Sequence, residues 1–173
     1  MSFVPFVIFI HGLSGSGKST IGKALYENLS KKTKLIYIDG DEFRSGLSYD
    51  LGFSLEDRKE NIRRLMEMCK ILLNNETSVI ISFIAPTEEI RNIIRDNIKA
   101  LLEVWCDKPL FMCEKDDPKG LYKQNLNDFT GKTQLYEKPL KHDVELATHK
   151  TNVEDCVFIV KNYLYFLHSI KIY

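Results

Sequence analysis

The run Gly12-Leu13-Ser14-Gly15-Ser16-Gly17-Lys18-Ser19 fills every fixed position of the GxxxxGK[ST] pattern, and Thr20 follows it. These residue types suit phosphate. Glycines let a backbone fold tightly enough for its N–H groups to point inward at phosphate oxygens. A helix beginning near Lys18 adds the positive end of its dipole. Lys18 can set an ammonium between the β- and γ-phosphates of ATP, and the Ser19 hydroxyl can ligate Mg²⁺. Gly12 to Thr20 are therefore the expected nucleotide-binding residues, with ATP and Mg²⁺ as cofactors. The pattern alone does not separate kinases from switches and motors, which share it.

A second group supplies what a bare phosphate loop lacks. Asp39-Gly40-Asp41 ends a short apolar run, which puts two carboxylates at a sheet edge near the loop. A carboxylate there can hold Mg²⁺ through water, or take a proton from an acceptor hydroxyl. Standing alone, the same residues would make a polar turn. Arg44 follows, and then Arg58, Asn61, Arg63 and Arg64. Arg58 and Asn61 are three apart and share a helix face. Arginine suits bidentate capture of phosphate or sulfate oxygens. Arg63 and Arg64 point elsewhere on that helix.

These residues need a scaffold, and the hydrophobic pattern predicts one. Strand-like runs at Val4–Ile10, Leu35–Ile38, Val79–Ile84, Glu103–Cys106 and Val144–Ala147 alternate with helix-like runs at Lys18–Ser30, Ser54–Asn74 and Thr87–Leu101. A short helix is expected over Leu121–Asn125, and Asn152 is expected to cap a last helix. Ser54 with Asp57 reads as a capping box at the start of the long helix. The alternation implies an α/β fold, a doubly wound parallel sheet of five strands flanked by helices. Ligands in such sheets sit at the carboxyl ends of the strands, where both groups lie. The polar stretch 127–143, with Gly131 and Pro139, is expected to be a mobile lid.

At 173 residues, 44% hydrophobic and 28% charged, the chain fits one domain with a buried core, residues 1–173. Lys plus Arg and Asp plus Glu are 24 each, so net charge argues for neither a nucleic-acid nor a membrane partner. The amino terminus reads as a buried strand rather than a signal peptide, and no run approaches a membrane span. Cys69, Cys106, Cys113 and Cys156 show neither CxxC nor zinc spacing, and read as reduced core residues of a cytoplasmic protein.

The stretches GLSGSGKST, DGDEFRSGL, DLGFSLEDRKENIRR, SFIAP, DPKGLYK and FTG, in this order, resemble the adenylylsulfate kinases from Phe9 to about Leu146. The resemblance implies a P-loop NTPase fold with a lid. It also implies transfer from MgATP to the ribose 3′-hydroxyl of a nucleotide with a 5′ anionic anhydride. Lys18, Asp39 and Asp41 would be catalytic, Asp41 lying nearest the acceptor hydroxyl, and Ser19 with Asp39 would serve the metal. Arg44, Arg58 and Asn61 would hold the acceptor's 5′ anionic group. Phe53 and Phe129 would clamp its base, with Ile84 and Lys119 beside them. Relatives of this kind are often dimers, so a homodimer is an expected assembly.

The chain also departs from the family pattern. Ala85 stands where some members carry a serine that is phosphorylated, which excludes a covalent route there and leaves direct transfer. Asp116 replaces the arginine of RDPKG, a residue near the nucleotide base. Only Lys123 to Asp128 separate GLY from FTG, where the family has about ten residues, and the extension before the first strand is missing. These departures cluster at the lid and the base side. They lean the expected acceptor toward cytidine 5′-diphosphoramidate, the substrate of short, similar kinases of capsule phosphoramidate pathways. Adenylyl sulfate is the alternative. A non-catalytic nucleotide-binding switch is the alternative of another class, although it needs no paired arginines or aromatic clamp. A kinase of sugars, shikimate or antibiotics on the same scaffold would leave FTG and LGFS unexplained.

Overall fold

The computed structural model describes residues 4–124 and 129–170, without the side chains of 168–170. Five parallel strands, β1 (Val7–His11), β2 (Leu35–Asp39), β3 (Ser78–Phe83), β4 (Leu101–Cys106) and β5 (Val144–Leu146), lie in the order β2-β3-β1-β4-β5. Among the described residues six helices accompany them: α1 (Lys18–Leu29), α2 (Gly40–Ser45), α3 (Leu55–Asn74), α4 (Glu88–Asn97), α5 (Leu110–Asp116) and α6 (Val153–Ile170).

Strand alternation divides the core. Ile8 and Ile10 of β1 face one side, where they join Ile21, Leu25 and Leu29 of α1 and Cys156, Val160 and Leu164 of α6. Val7 and Phe9 face the other, against Ile62, Leu65, Met66 and Cys69 of α3 and Ile90 and Ile94 of α4. Both faces of β1 are therefore covered, which explains its unbroken apolar run. All four cysteines are buried and unpaired.

Several element boundaries differ from the sequence expectation. Strand β1 begins at Val7 rather than Val4, because pairing with β3 and β4 starts there and Pro5 has no N–H to offer a ladder. Helix α4 ends at Asn97 rather than Leu101, because Leu101 and Leu102 are taken by the ladder to Val7 and Ile8. The expected helix from Leu121 is a turn. The Asp117 carboxylate accepts the N–H groups of Leu121 and Tyr122 at 2.9 and 3.1 Å, and Asn125 lies outside the described residues. Helices α2 and α5 went unforeseen, being only six and seven residues long.

Residues 127 and 128 of the expected lid lie outside the described residues; the rest of it is irregular but tied down. Thr133 and Gln134 donate backbone N–H bonds to the Phe129 carbonyl at 2.9 and 3.0 Å. Glu137 N–H donates to the Pro86 carbonyl at 2.9 Å, and Arg91 donates to the Glu137 carbonyl at 3.0 Å. The backbone groups of this polar segment thus find partners in the surrounding chain rather than in a sheet ladder.

Candidate active site

At the carboxyl end of β1 the chain turns at Gly12, with φ 149°. A Cβ there would lie 2.7 Å from the Cys106 carbonyl oxygen, so the loop needs glycine to pass beneath β4. The loop ends at Gly17, φ 92°, which caps α1 without a side chain. The first-turn N–H groups of α1 therefore stay open to an anion.

Lys18 is buried within this loop, and its Nζ donates to the Leu13 carbonyl at 2.5 Å. Burial lowers its pKa to about 8, against smaller raising effects from Cys106 and Asp41. The Ser19 hydroxyl donates to Asp39 Oδ2 at 2.6 Å, and the Tyr37 hydroxyl donates to the same oxygen at 3.0 Å. Asp39 Oδ1 accepts the Asp41 N–H at 2.9 Å, making Asp39 the cap of α2. Burial alone would raise the Asp39 pKa, but the donors Ser19, Asp41 N–H and Tyr37 outweigh it and hold the carboxyl below its usual value. The pair of hard oxygens from Ser19 and Asp39 suits Mg²⁺. No cluster of three or more His, Cys, Asp or Glu side chains poised for a metal occurs among the described residues. An ion here would complete its shell with phosphate oxygens and water, as Mg²⁺ commonly does.

Asp41 is different: its side chain is 71% exposed and pairs with Lys119 Nζ. Across the cavity, Phe53 is 50% exposed and faced by two guanidinium groups. The Arg44 and Arg58 Cζ atoms stand 4.6 and 5.5 Å from its ring centroid. Arg58 Nε also donates to the Phe53 carbonyl at 3.0 Å. Asn61 is buried, and its Oδ1 has no hydrogen-bond partner.

These groups line one cavity of about 780 Å³. Its walls include Ser14, Gly15, Gly17, Lys18, Ser19, Thr20, Asp39 and Asp41 from the donor-side expectation. Arg44, Phe53, Arg58, Asn61, Ile84, Lys119 and Phe129 come from the acceptor-side expectation. Gly12, Leu13 and Ser16 of the expected run do not line it. Gly12 lies under the Cys106 carbonyl, Leu13 packs with Tyr122 and Phe129, and Ser16 is fully buried. Phe129, expected to clamp the acceptor base from the polar stretch 127–143, is only 8% exposed and meets Tyr122 edge-on at 4.7 Å. The turn over residues 129–134 folds it back into that small apolar cluster. Arg63 and Arg64 turn away from the cavity to Glu60 and Asp50.

Lys108 and Ala85 also stand in the wall; the first was not singled out in the sequence, and the second was noted only as a departure from the family pattern. Lys108 donates to Asp116 at 2.5 Å and to the Gly15 carbonyl at 3.1 Å, which puts the departure at Asp116 directly beside the phosphate loop. Ala85 has φ 43°, unusual for a residue with a Cβ, and its carbonyl accepts from the fully buried Arg91 at 2.8 Å. Position just after β4 was the signal for Lys108, and position after β3 together with the family's serine was the signal for Ala85.

Comparison with known proteins places this arrangement in context. The family model described as adenylylsulphate kinase matches residues 4–147. The adenylyl-sulfate kinase of Clostridium acetobutylicum is 44% identical over 164 residues, which cover 91% of this chain and 82% of that protein. An APS kinase structure from Mycobacterium tuberculosis, in complex with AMPPNP and APS, is 34% identical with a TM-score of 0.88, covering 93% of this chain and 98% of that one. A hexameric APS kinase from Thiobacillus denitrificans is 26% identical with a TM-score of 0.74, covering 96% of this chain but 30% of the other.

Proposed function

The chain belongs to the adenylylsulfate kinase family, and from that membership we propose that it transfers the γ-phosphoryl group of MgATP to the ribose 3′-hydroxyl of adenylyl sulfate. The observation that carries this reading is the single cavity joining the phosphate loop, the Asp41–Lys119 pair and the Arg44–Phe53–Arg58 group.

Each residue has a task in this reading. The open amides of the loop and Lys18 hold the donor phosphates. Ser19 and Asp39 would hold Mg²⁺, which would supply positive charge against the donor phosphates. Phosphate charge beside Lys18 restores the ammonium that burial disfavours, so its full charge is present when the reaction needs it. Asp41, exposed to the cavity, accepts the proton of the attacking hydroxyl, and Lys119 holds that carboxylate in place. Arg44 and Arg58 take the acceptor's anionic group, and the Phe53 face takes its base. Ala85 offers only a methyl group, so transfer is direct.

Cytidine 5′-diphosphoramidate is the second reading. It is favoured by the short span Lys123 to Asp128 and by Asp116, which engages Lys108 at the donor side. The 44% identity to a curated adenylyl-sulfate kinase weighs toward adenylyl sulfate. Steady-state kinetics with both acceptors and MgATP decide. We expect the higher kcat/KM with adenylyl sulfate, and a clear preference for the cytidine compound reverses the order. ATP turnover that neither acceptor stimulates would reject both readings and return the chain to the switch class.

A further inference from the structure

We propose that Tyr122, Lys108 and Thr148 are positioning residues that brace the back of the phosphate loop, and that Tyr122 joins this brace to the acceptor wall. The inference rests on the proposed use of MgATP and concerns how the loop is held ready for it.

Four consecutive loop carbonyls each receive a side-chain donor. Lys18 Nζ reaches Leu13 O at 2.5 Å, from within the loop itself. The other three donors come from distant stretches. The Tyr122 hydroxyl reaches Ser14 O at 2.9 Å, Lys108 Nζ reaches Gly15 O at 3.1 Å, and the Thr148 hydroxyl reaches Ser16 O at 2.8 Å. Tyr122 sits in the turn after α5, Lys108 follows β4 by two residues, and Thr148 follows β5 by two. A trans peptide is planar, with its N–H opposite its C=O. Holding the carbonyls of Ser14 and Ser16 outward therefore aims the amides of Gly15 and Gly17 to the other side, and both glycines line the cavity. Ser16 N–H is the exception, turning to Leu13 O at 3.2 Å and closing the loop. Amides fixed before the phosphates arrive need no reorganisation during the reaction, which is where such donors gain their strength.

Tyr122 does more than donate. Its ring meets Phe129 edge-on, and Lys132 Nζ donates to its carbonyl at 2.6 Å. The Asp117 carboxylate fixes its backbone through the N–H of Tyr122. One buried side chain thus touches the donor loop with its hydroxyl and the acceptor wall with its ring. Burial raises the phenol's pKa, which keeps the proton it donates.

Calorimetric binding of a non-hydrolysable MgATP analogue tests the brace whatever the acceptor is. Tyr122→Phe removes one oxygen and keeps the ring on Phe129. We expect it to weaken analogue binding roughly threefold to tenfold, the range of one net hydrogen bond, with the acceptor KM unchanged. Thr148→Val should weaken binding similarly, and Thr148→Ser should restore it. Wild-type protein that binds no analogue would reject the MgATP reading itself. Wild-type binding matched by Tyr122→Phe and Thr148→Val would reject the brace alone. Tyr122→Ala should raise KM for donor and acceptor together; a rise confined to MgATP would reject the link to the acceptor wall.

Discussion

Lys18 and Asp41 are both charged residues of one site, but their surroundings assign them opposite properties. Lys18 is buried, with a pKa lowered to about 8, so the free protein loses this charge well below the usual lysine value of 10.5. Between those values the unfolded chain binds a proton the folded one has released. The group's contribution to stability therefore rises with pH across that window. Affinity for MgATP should move the other way, falling as pH rises through 8, because the phosphates need the ammonium. Calorimetry from pH 7 to 9.5 in buffers of different ionisation heat checks both the fall and the proton uptake on binding. Lys18→Ala should abolish turnover. Asp41→Asn should cut kcat far more than MgATP affinity if, as proposed, its exposed carboxylate takes the acceptor's proton; a wild-type kcat in that variant would remove Asp41 from the chemistry. Phe53 and Phe129 separate in the same way. Phe53→Ala removes a half-exposed ring and should raise the acceptor KM with little loss of stability. Phe129→Ala also opens the cluster around Tyr122, so its effects on KM and stability come mixed.

Among the elements, α3 brings Arg58 and Asn61, one turn apart near its start, to the cavity wall. Ser54 caps that start by accepting Asp57 N–H at 3.1 Å, and its own hydroxyl donates to the Asp57 carboxylate at 2.7 Å. Ser54→Ala should cost about 1 kcal/mol, or roughly 2–4 °C in Tm for a domain of this size, measurable by thermal unfolding. This cap was legible in the sequence because it is local, spanning four residues. The short α2 was not: it exists because Asp39 at the end of β2 turns its carboxylate onto Asp41 N–H. In the structure the expected catalytic carboxylates are also a helix cap and the residue it holds. The three-residue motif gave no sign of the helix that orients it.

Taken whole, the molecule holds a charged network behind the cavity. Arg91 donates to Glu88 at 2.9 Å and binds the carbonyls of Ala85 and Glu137, linking the β3–α4 turn to the 129–143 segment. Arg95 joins Glu88 to Glu103, and His11 Nε2 lies 3.0 Å from Glu103 on β4. Arg91→Ala should destabilise by about 3–5 kcal/mol, since it leaves buried partners unpaired, as chemical denaturation would show. Burial depresses the pKa of His11, against raising effects from Glu103. Burial would raise the pKa of Glu103, but its bonds to His11 and Arg95 hold it below the usual value. Both signs favour the folded state at neutral pH. Stability from His11 is lost as pH falls through the usual histidine value of 6.5, and that from Glu103 at lower pH still. Denaturation across pH 4–7 should show this loss, and Glu103→Gln should flatten its lower part. No helix among the described residues is long and apolar enough to cross a membrane.

By itself the sequence determined the phosphate loop, the five strands and four longer helices in chain order, and the Arg58–Asn61 face. Each depends on spacing within a few residues or on a period that repeats along one element. Only the tertiary structure decided which residues reach the cavity. Gly12, Leu13 and Ser16 fall behind the wall, while Lys108 and Ala85 enter it from strand ends far along the chain. Phe129 is buried by Tyr122 rather than left open, and the carbonyls of Ser14, Gly15 and Ser16 are held by side chains from three other segments. The three carbonyl contacts join residues 93 to 132 positions apart, where no local pattern constrains which donor meets which acceptor until the sheet has brought the strand ends together.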